Sequence, residues 1–264
     1  MSRTGINLPI PNRLELISRY HFIHGASYYP IIHKSPGRLS VALTFPYKKN
    51  LTIQQRRFCA EAVFSYTLNS LREIICSTVT PLDICFDFPA PTYSHRYLKH
   101  FDCKATFNQP LSIITFDDQL LYRDLSSHNP TLHQLYLNKS LDLWQKSERL
   151  QDFEYRAISQ IMHNHPESFN SQKLASKLNI SVRGLQKRLN KHGESFSHLS
   201  NIARRELAKV YLFQMRQNID YTAEQLGFQT ASGFRRFFKA EFSQTPIEFL
   251  EKHCSAKICS NLEN

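Results

Sequence analysis

The chain has 264 residues, with 33 Lys and Arg against 22 Asp and Glu, and a formal net charge of +11. Hydrophobic residues make up 41% and charged residues 21%, which excludes a mainly disordered chain. With 7 glycines and no GxGxxG or GxxxxGK there is no nucleotide-binding glycine loop, and no apolar run approaches the ~18 residues of a membrane span. Met1 to Pro11 has no apolar core of a secretory signal, so the expectation is a soluble, cytoplasmic, basic chain of one large or two ordinary domains.

In chain order, Leu14, Ile17 and His21 share one side of a helix over Arg13 to His21. Leu39, Val41, Leu43 and Phe45 alternate with smaller or polar residues, which predicts a strand. Ser35-Pro36-Gly37 is a turn, so Tyr28 to His33 pairs with that strand as a hairpin. A long amphipathic helix follows from Ile53 to Ile75. Leu82, Ile84, Phe86 and Phe88 predict a second strand, Thr92 to His100 a short helix, and Leu111 to Phe116 a further strand. Asp117-Asp118 reads as a strand-end turn. Residues 1–138 are therefore expected to form an α+β domain. A linker over 139–151 carries Leu141, Leu143 and Trp144, which could dock the two halves.

From residue 152 to 252 the pattern is all-α. Phe153, Ala157, Ile158 and Ile161 recur at helical spacing, and His165-Pro166 ends that helix. Asn170 caps a second helix that buries Leu174, Ala175 and Leu178. After a tight break at Asn179-Ile180, Ser181 caps a third that buries Leu185 and Leu189. Two short helices joined this way form a helix-turn-helix, expected over 171–192. A second unit is expected over 219–242, with Ile219, Ala223 and Leu226 in its first helix, Gly227 as the left-handed cap and Phe228 plugging the turn. Its second helix buries Phe234 and Phe238. Thr245-Pro246 starts a last helix burying Ile247, Phe249 and Leu250, and 253–264 form a tail. Between the units, Leu199, Ile202, Ala203, Leu207, Val210, Tyr211 and Phe213 or Gln214 keep helical register across Ser195 to Arg216. Twenty-odd helical residues span about 30 Å. That is close to the ~34 Å between successive major grooves on one face of B-DNA.

The charge follows this pattern. Residues 171–239 hold 13 Lys or Arg against 4 Asp or Glu, a net +9. The bland reading of such a run is a solvated helix face. The helix-turn-helix spacing beneath it favours DNA. The exposed face of the first unit's second helix carries Arg183, Gln186, Lys187 and Lys191, and Arg and Gln are residue types that read guanine and adenine edges. Arg235, Arg236 and Lys239 take the outer face in the second unit. Arg188 lies nearer the core edge, suited to a phosphate contact or an internal pair, and Lys173 and Lys177 add general field.

Three stretches, LASKLNISVRGLQKRLNKHGESF (174–196), ARRELAKVYL (203–212) and AEQLGFQTASGFRRFFKAEFSQTPIEFL (223–250), closely resemble the AraC/XylS family of bacterial transcription regulators. The resemblance covers about 152 to 250. It implies two DNA-reading helices, with Arg183, Gln186 and Lys187 at base edges and Arg236 at a phosphate or base. Ala231, Ser232 and Gly233 are too small to read much, so the first unit is expected to give specificity and the second to anchor on backbone. Two departures are expected to weaken the second unit slightly: Thr222 stands at a usually apolar position, and Ser243 stands where Gly is usual. The stretch 87–125, through Pro91, Tyr97, Phe101, Phe107 and Leu120-Leu121, resembles the sensor domain of the ornithine-utilisation branch of that family. On that comparison the sensor is expected to be shortened at its N-terminus. The family reading implies an activator or repressor. Its partners would be double-stranded promoter DNA and RNA polymerase, with a small-molecule effector and homodimerisation, and no cofactor or catalytic residue.

Cys59, Cys76, Cys85, Cys103, Cys254 and Cys259 contain no CxxC and no zinc spacing. That counts against the rival architecture, a DNA-repair methyl acceptor with a DNA-binding tail of this type. A redox pair at Cys254 and Cys259 is the lesser reading beside reduced, structural thiols. His21 with His24, or His163 with His165, are read as surface or core residues rather than ligands. A non-specific architectural DNA binder is the remaining alternative.

Overall fold

The structure, a computed structural model, describes residues 28–46, 51–75, 78–122, 135, 138–139 and 153–253. The expected helix at 13–21, most of the linker and the tail with Cys254 and Cys259 lie outside the described residues. The chain forms two compact units, Met1–Thr44 with Asn50–Leu150, and Phe45–Lys49 with Gln151–Asn264.

The first unit is built on a five-stranded sheet in the order β1-β2-β5-β3-β4. The strands are β1 (Tyr29–Ser35), β2 (Arg38–Thr44), β3 (Asp83–Cys85), β4 (Ala105–Thr106) and β5 (Ser112–Phe116). The hairpin forms as expected, with Tyr29 opposite Thr44 and Gly37 at φ 72° in its turn. A left-handed turn residue of this kind suits glycine, which has no Cβ to clash. β5 lies at the centre, antiparallel to both β2 and β3, and all five of its residues are buried. Its Ser112 is satisfied there: Oγ donates to Asp87 Oδ1 at 2.7 Å and accepts from the Asp87 N–H at 3.1 Å.

Helix α1 runs over Ile53–Ile75, as its periodicity predicts, with Ala60, Phe64 and Leu68 buried at i, i+4 and i+8. Phe64 meets Phe86, the hub of an aromatic cluster that also holds Phe88, Tyr97, Phe101 and Phe107, at centroid distances of 4.9 to 6.3 Å. Tyr97 and Phe101 come from α2 (His95–Phe101).

The expected strand from Leu82 to Phe88 needs correction. Only Asp83–Cys85 is regular, and Leu82 is 50% exposed. Phe86 and Phe88 still bond to the 106–109 segment, but Asn108 is left-handed at φ 57° and breaks the ladder. β4 carries no periodic signal in the sequence, while the strand-end turn expected at Asp117-Asp118 continues as a 3-10 turn over Asp118–Tyr122.

The second unit is all-α. Its helices are α3 (Phe153–His163), α4 (Ser171–Lys177), α5 (Val182–Lys191), α6 (Phe196–Lys209), α7 (Ile219–Gln225), α8 (Ala231–Phe242) and α9 (Pro246–His253). A short 3-10 turn, Glu167–Phe169, precedes α4. The connecting helix is not α-helical throughout. It ends in a π turn over Val210–Gln214, closed by the Met215 N–H on the Val210 carbonyl at 2.9 Å. Ile247 also departs from expectation. It is 39% exposed, one position off the buried stripe of Pro246, Phe249 and Leu250.

Candidate nucleic-acid interface

The two helix-turn-helix units are built alike, down to individual hydrogen bonds. In the first, α4 ends at Leu178 and Asn179 takes the left-handed position at φ 54°. The Ile180 N–H closes on the Ala175 carbonyl at 3.0 Å, and the Asn179 N–H on Ser176 at 3.0 Å. In the second, Gly227 is left-handed at φ 70°, the Phe228 N–H closes on Ala223 at 2.9 Å, and the Gly227 N–H on Glu224 at 2.9 Å. This is the paired closure that ends a helix in a Schellman turn.

The second helix of each unit then starts on a side-chain cap. Ser181 Oγ accepts the Gly184 N–H at 3.1 Å, and Thr230 Oγ1 accepts the Gly233 N–H at 3.1 Å. The caps put the two helices in register: Arg183 corresponds to Ser232, Gln186 to Arg235, Lys187 to Arg236, Arg188 to Phe237, and Asn190 to Lys239. Leu185 and Leu189 are fully buried in α5, as Phe234 and Phe238 are in α8. Burial on one side holds the opposite side outward.

Arg183, Gln186, Lys187, Arg188, Lys191, Ser232, Arg235, Arg236 and Lys239 are all exposed. They differ in what else they touch. Among the described residues, Arg183, Gln186, Lys187, Lys191, Arg235 and Arg236 have no ion pair or side-chain hydrogen bond within the chain. Arg188 lies over the Phe153 ring, 5.4 Å from its centroid, an internal partner at the core edge. Lys239 is close enough to Glu248 to help hold that carboxyl below its ordinary range, behind the larger effect of the Thr245 N–H bond.

Much of the remaining positive charge is committed internally. Lys177 bonds Asn164 at 3.1 Å and approaches Glu167 at 3.6 Å. Glu206 is buried in α6. Burial pushes its carboxyl up, but Lys209 at 2.8 Å and Arg205 at 3.5 Å pull it further down, below the usual carboxylate range. Arg216 lies over the Phe213 ring at 4.9 Å. The partnerless cations therefore concentrate on the outer faces of α5 and α8, a sharper distribution than the +9 over 171–239 conveys.

Thr222 satisfies its hydroxyl at the position where an apolar residue is usual. It is fully buried, and its Oγ1 donates to the Asn218 carbonyl at 2.7 Å, so no polar atom is stranded. Ser243 sits left-handed at φ 56° at the end of α8, the backbone region in which a residue with a Cβ is strained and Gly is not.

Two features were missed by pattern reading. Arg204, in the quoted stretch 203–212, lies between two rings and bonds the second unit's turn. A cation beside the apolar stripe of Leu199, Ala203 and Leu207 was the available signal. His165 is partly buried, with Nδ1 2.9 Å from the Met162 carbonyl and Nε2 2.5 Å from the Tyr211 hydroxyl. A carbonyl can only accept, so Nδ1 carries the proton and Nε2 accepts from Tyr211. No group of three metal-ligating side chains occurs among the described residues. Nor is any described helix long and apolar enough to cross a membrane.

Sequence-family models match most of both halves. Residues 174–252 match one described as a helix-turn-helix domain, and residues 14–125 match one described as the arabinose-binding domain of the AraC transcription regulator, N-terminal. The chain joins an AraC-type N-terminal domain to a helix-turn-helix domain. Among curated proteins it is similar to an ornithine utilization regulator of Pseudomonas aeruginosa, 23% identical over 195 residues. That alignment covers 74% of the chain but only 57% of the relative's length. Among solved structures, the transcriptional regulator CdpR from Pseudomonas aeruginosa aligns at 17% identity over 91% of the chain and 77% of its own, with a TM-score of 0.43. A DNA-binding transcriptional dual regulator from Escherichia coli K-12 aligns at 24% identity over 39% of the chain and 93% of its own, with a TM-score of 0.37.

Proposed function

We propose that this chain is a sequence-specific DNA-binding transcription regulator of the AraC/XylS family that presents α5 and α8 to successive major grooves of a promoter. The observation that carries the reading is the matched pair of capped, left-handed-turn units whose second helices bear the partnerless cations. Arg183, Gln186 and Lys187 read base edges, where bidentate donors and acceptors discriminate. Lys191, Arg235, Arg236 and Lys239 bind phosphates, Ser232 packs against the backbone, and Arg188 adds charge at the margin from its place over Phe153. RNA polymerase is the partner in transcription, and the N-terminal sheet domain supplies effector binding and dimerisation. The chain works on DNA in the cytoplasm and performs no catalysis.

Selection of bound duplexes from a random pool, followed by footprinting, tests the reading. A recovered motif with two protected patches about one helical turn apart supports it. Binding without any recovered motif would leave a non-specific architectural protein.

A further inference from the structure

Arg204 lies on α6 beside the buried Ala203 and Leu207, yet its guanidinium does not reach for solvent. Nε donates to the Leu226 carbonyl at 2.9 Å, and the guanidinium lies 4.6 Å from the Phe169 ring centroid and 4.8 Å from that of Phe228. Leu226 and Phe228 flank Gly227, the left-handed residue of the second turn. Phe169 closes the 3-10 turn that leads into α4 of the first unit. The joint is close-packed, since a Cβ on Gly227 would lie 3.0 Å from the Phe169 Cβ. Tyr211 makes a second tie across the same ground, bonding His165 from the segment before α4 and meeting the Tyr221 ring of α7 edge-on at 6.1 Å.

We propose that Arg204 is a positioning residue for DNA binding. By holding Phe169 of the first unit against the Leu226–Phe228 turn of the second, it fixes the two reading helices in one relative orientation. The pair then accepts its two DNA subsites at one spacing only. A guanidinium suits this place because it is planar, stacks on rings with both faces and still donates in plane, none of which an ammonium does. Enclosed between two rings, it acts through the turn rather than on DNA. Rigid joining makes the second groove contact intramolecular. The gain is largest when spacing matches the joint, and a loosened joint lowers the gain while widening the spacings accepted.

The proposal rests on the DNA-reading function above, and its test separates the two. The full chain and its Arg204→Lys and Arg204→Met variants are titrated with the duplex recovered from the random pool. Further duplexes carry one or two base pairs inserted between the protected patches. Wild type is expected to lose about tenfold or more in affinity on insertion. Both variants should bind the parent duplex about tenfold more weakly, yet lose less than about threefold on insertion. Circular dichroism and Tm identify variants that remain folded. Arg204→Lys keeps the charge, and the slope of log K against log salt should be unchanged in Arg204→Met, whereas loss of a phosphate contact lowers it by about one. Variants that bind like wild type, or that keep the wild-type insertion penalty, overturn the proposal. Failure of the wild-type chain to recover any duplex would instead overturn the DNA-reading function.

Discussion

Asn179 and Gly227 hold the same left-handed place in the two turns, at φ 54° and φ 70°, although one carries a side chain and the other has none. The difference follows from what lies above them. A Cβ on Gly227 would sit 3.0 Å from the Phe169 Cβ, against the joint between the units. Asn179 is exposed, and Asn tolerates the left-handed region.

These two positions should respond differently to substitution. Gly227→Ala adds about 1–2 kcal/mol of left-handed strain to a contact that must also give way. Asn179→Gly should change stability by less than about 1 kcal/mol. Urea unfolding of the full chain checks both, and equal effects would show that Phe169 does not constrain the second turn.

Ser243 is a site for gain. It ends α8 at φ 56°, with its N–H on the Lys239 carbonyl. Ser243→Gly keeps that bond and removes the strain, so stability should rise by about 1 kcal/mol. A fall in Tm would mean the Ser side chain contributes more than its backbone costs.

The helical unit was legible because its signals are local. Asn170, Ser181 and Pro246 mark helix starts, Gly227 marks an end, and the buried pairs Leu185/Leu189 and Phe234/Phe238 recur at four residues. The sheet unit was legible only where strands alternate, as in Leu39 to Phe45. β4 has two residues and β3 three, too short for a period to show. The exposed DNA-facing residues could be read from the same helical registers. Their isolation from internal partners could not, because pairing depends on neighbours distant in sequence, such as Asn164 for Lys177 and Phe153 for Arg188. Arg204 was missed for that reason as well: its ring partners are 35 and 24 positions away in sequence.

His165 predicts an acid limb in stability. Burial, opposed more weakly by its bond to the Met162 carbonyl, holds its pKa below the ordinary 6.5. Between the folded and unfolded pKa values the unfolded chain binds the proton and the folded chain does not, so stability rises with pH there. The contribution is complete above pH about 6.5 and is lost as pH falls through the folded value. Urea unfolding across pH 4.5 to 7.5 should show His165→Gln with a shallower acid limb than wild type. Parallel limbs would remove His165 as the cause.

Gln186 and Arg236 should fail in different ways. Gln186→Ala should relax base preference at one position, costing about 1–3 kcal/mol on the preferred sequence and little elsewhere. Arg236→Ala should weaken binding to all sequences alike. Competition binding with the recovered duplex and single-base variants distinguishes them. A uniform loss from Gln186→Ala would move it from base reading to backbone contact.

The most direct measurement is the affinity of the full chain for its recovered duplex across 50 to 200 mM salt, with Arg236→Ala alongside. Phosphate neutralisation by the partnerless cations of α5 and α8 predicts a steep linear fall of log K with log salt, and a slope smaller by about one in the variant. Binding that changes neither with salt nor with Arg236→Ala would contradict the account.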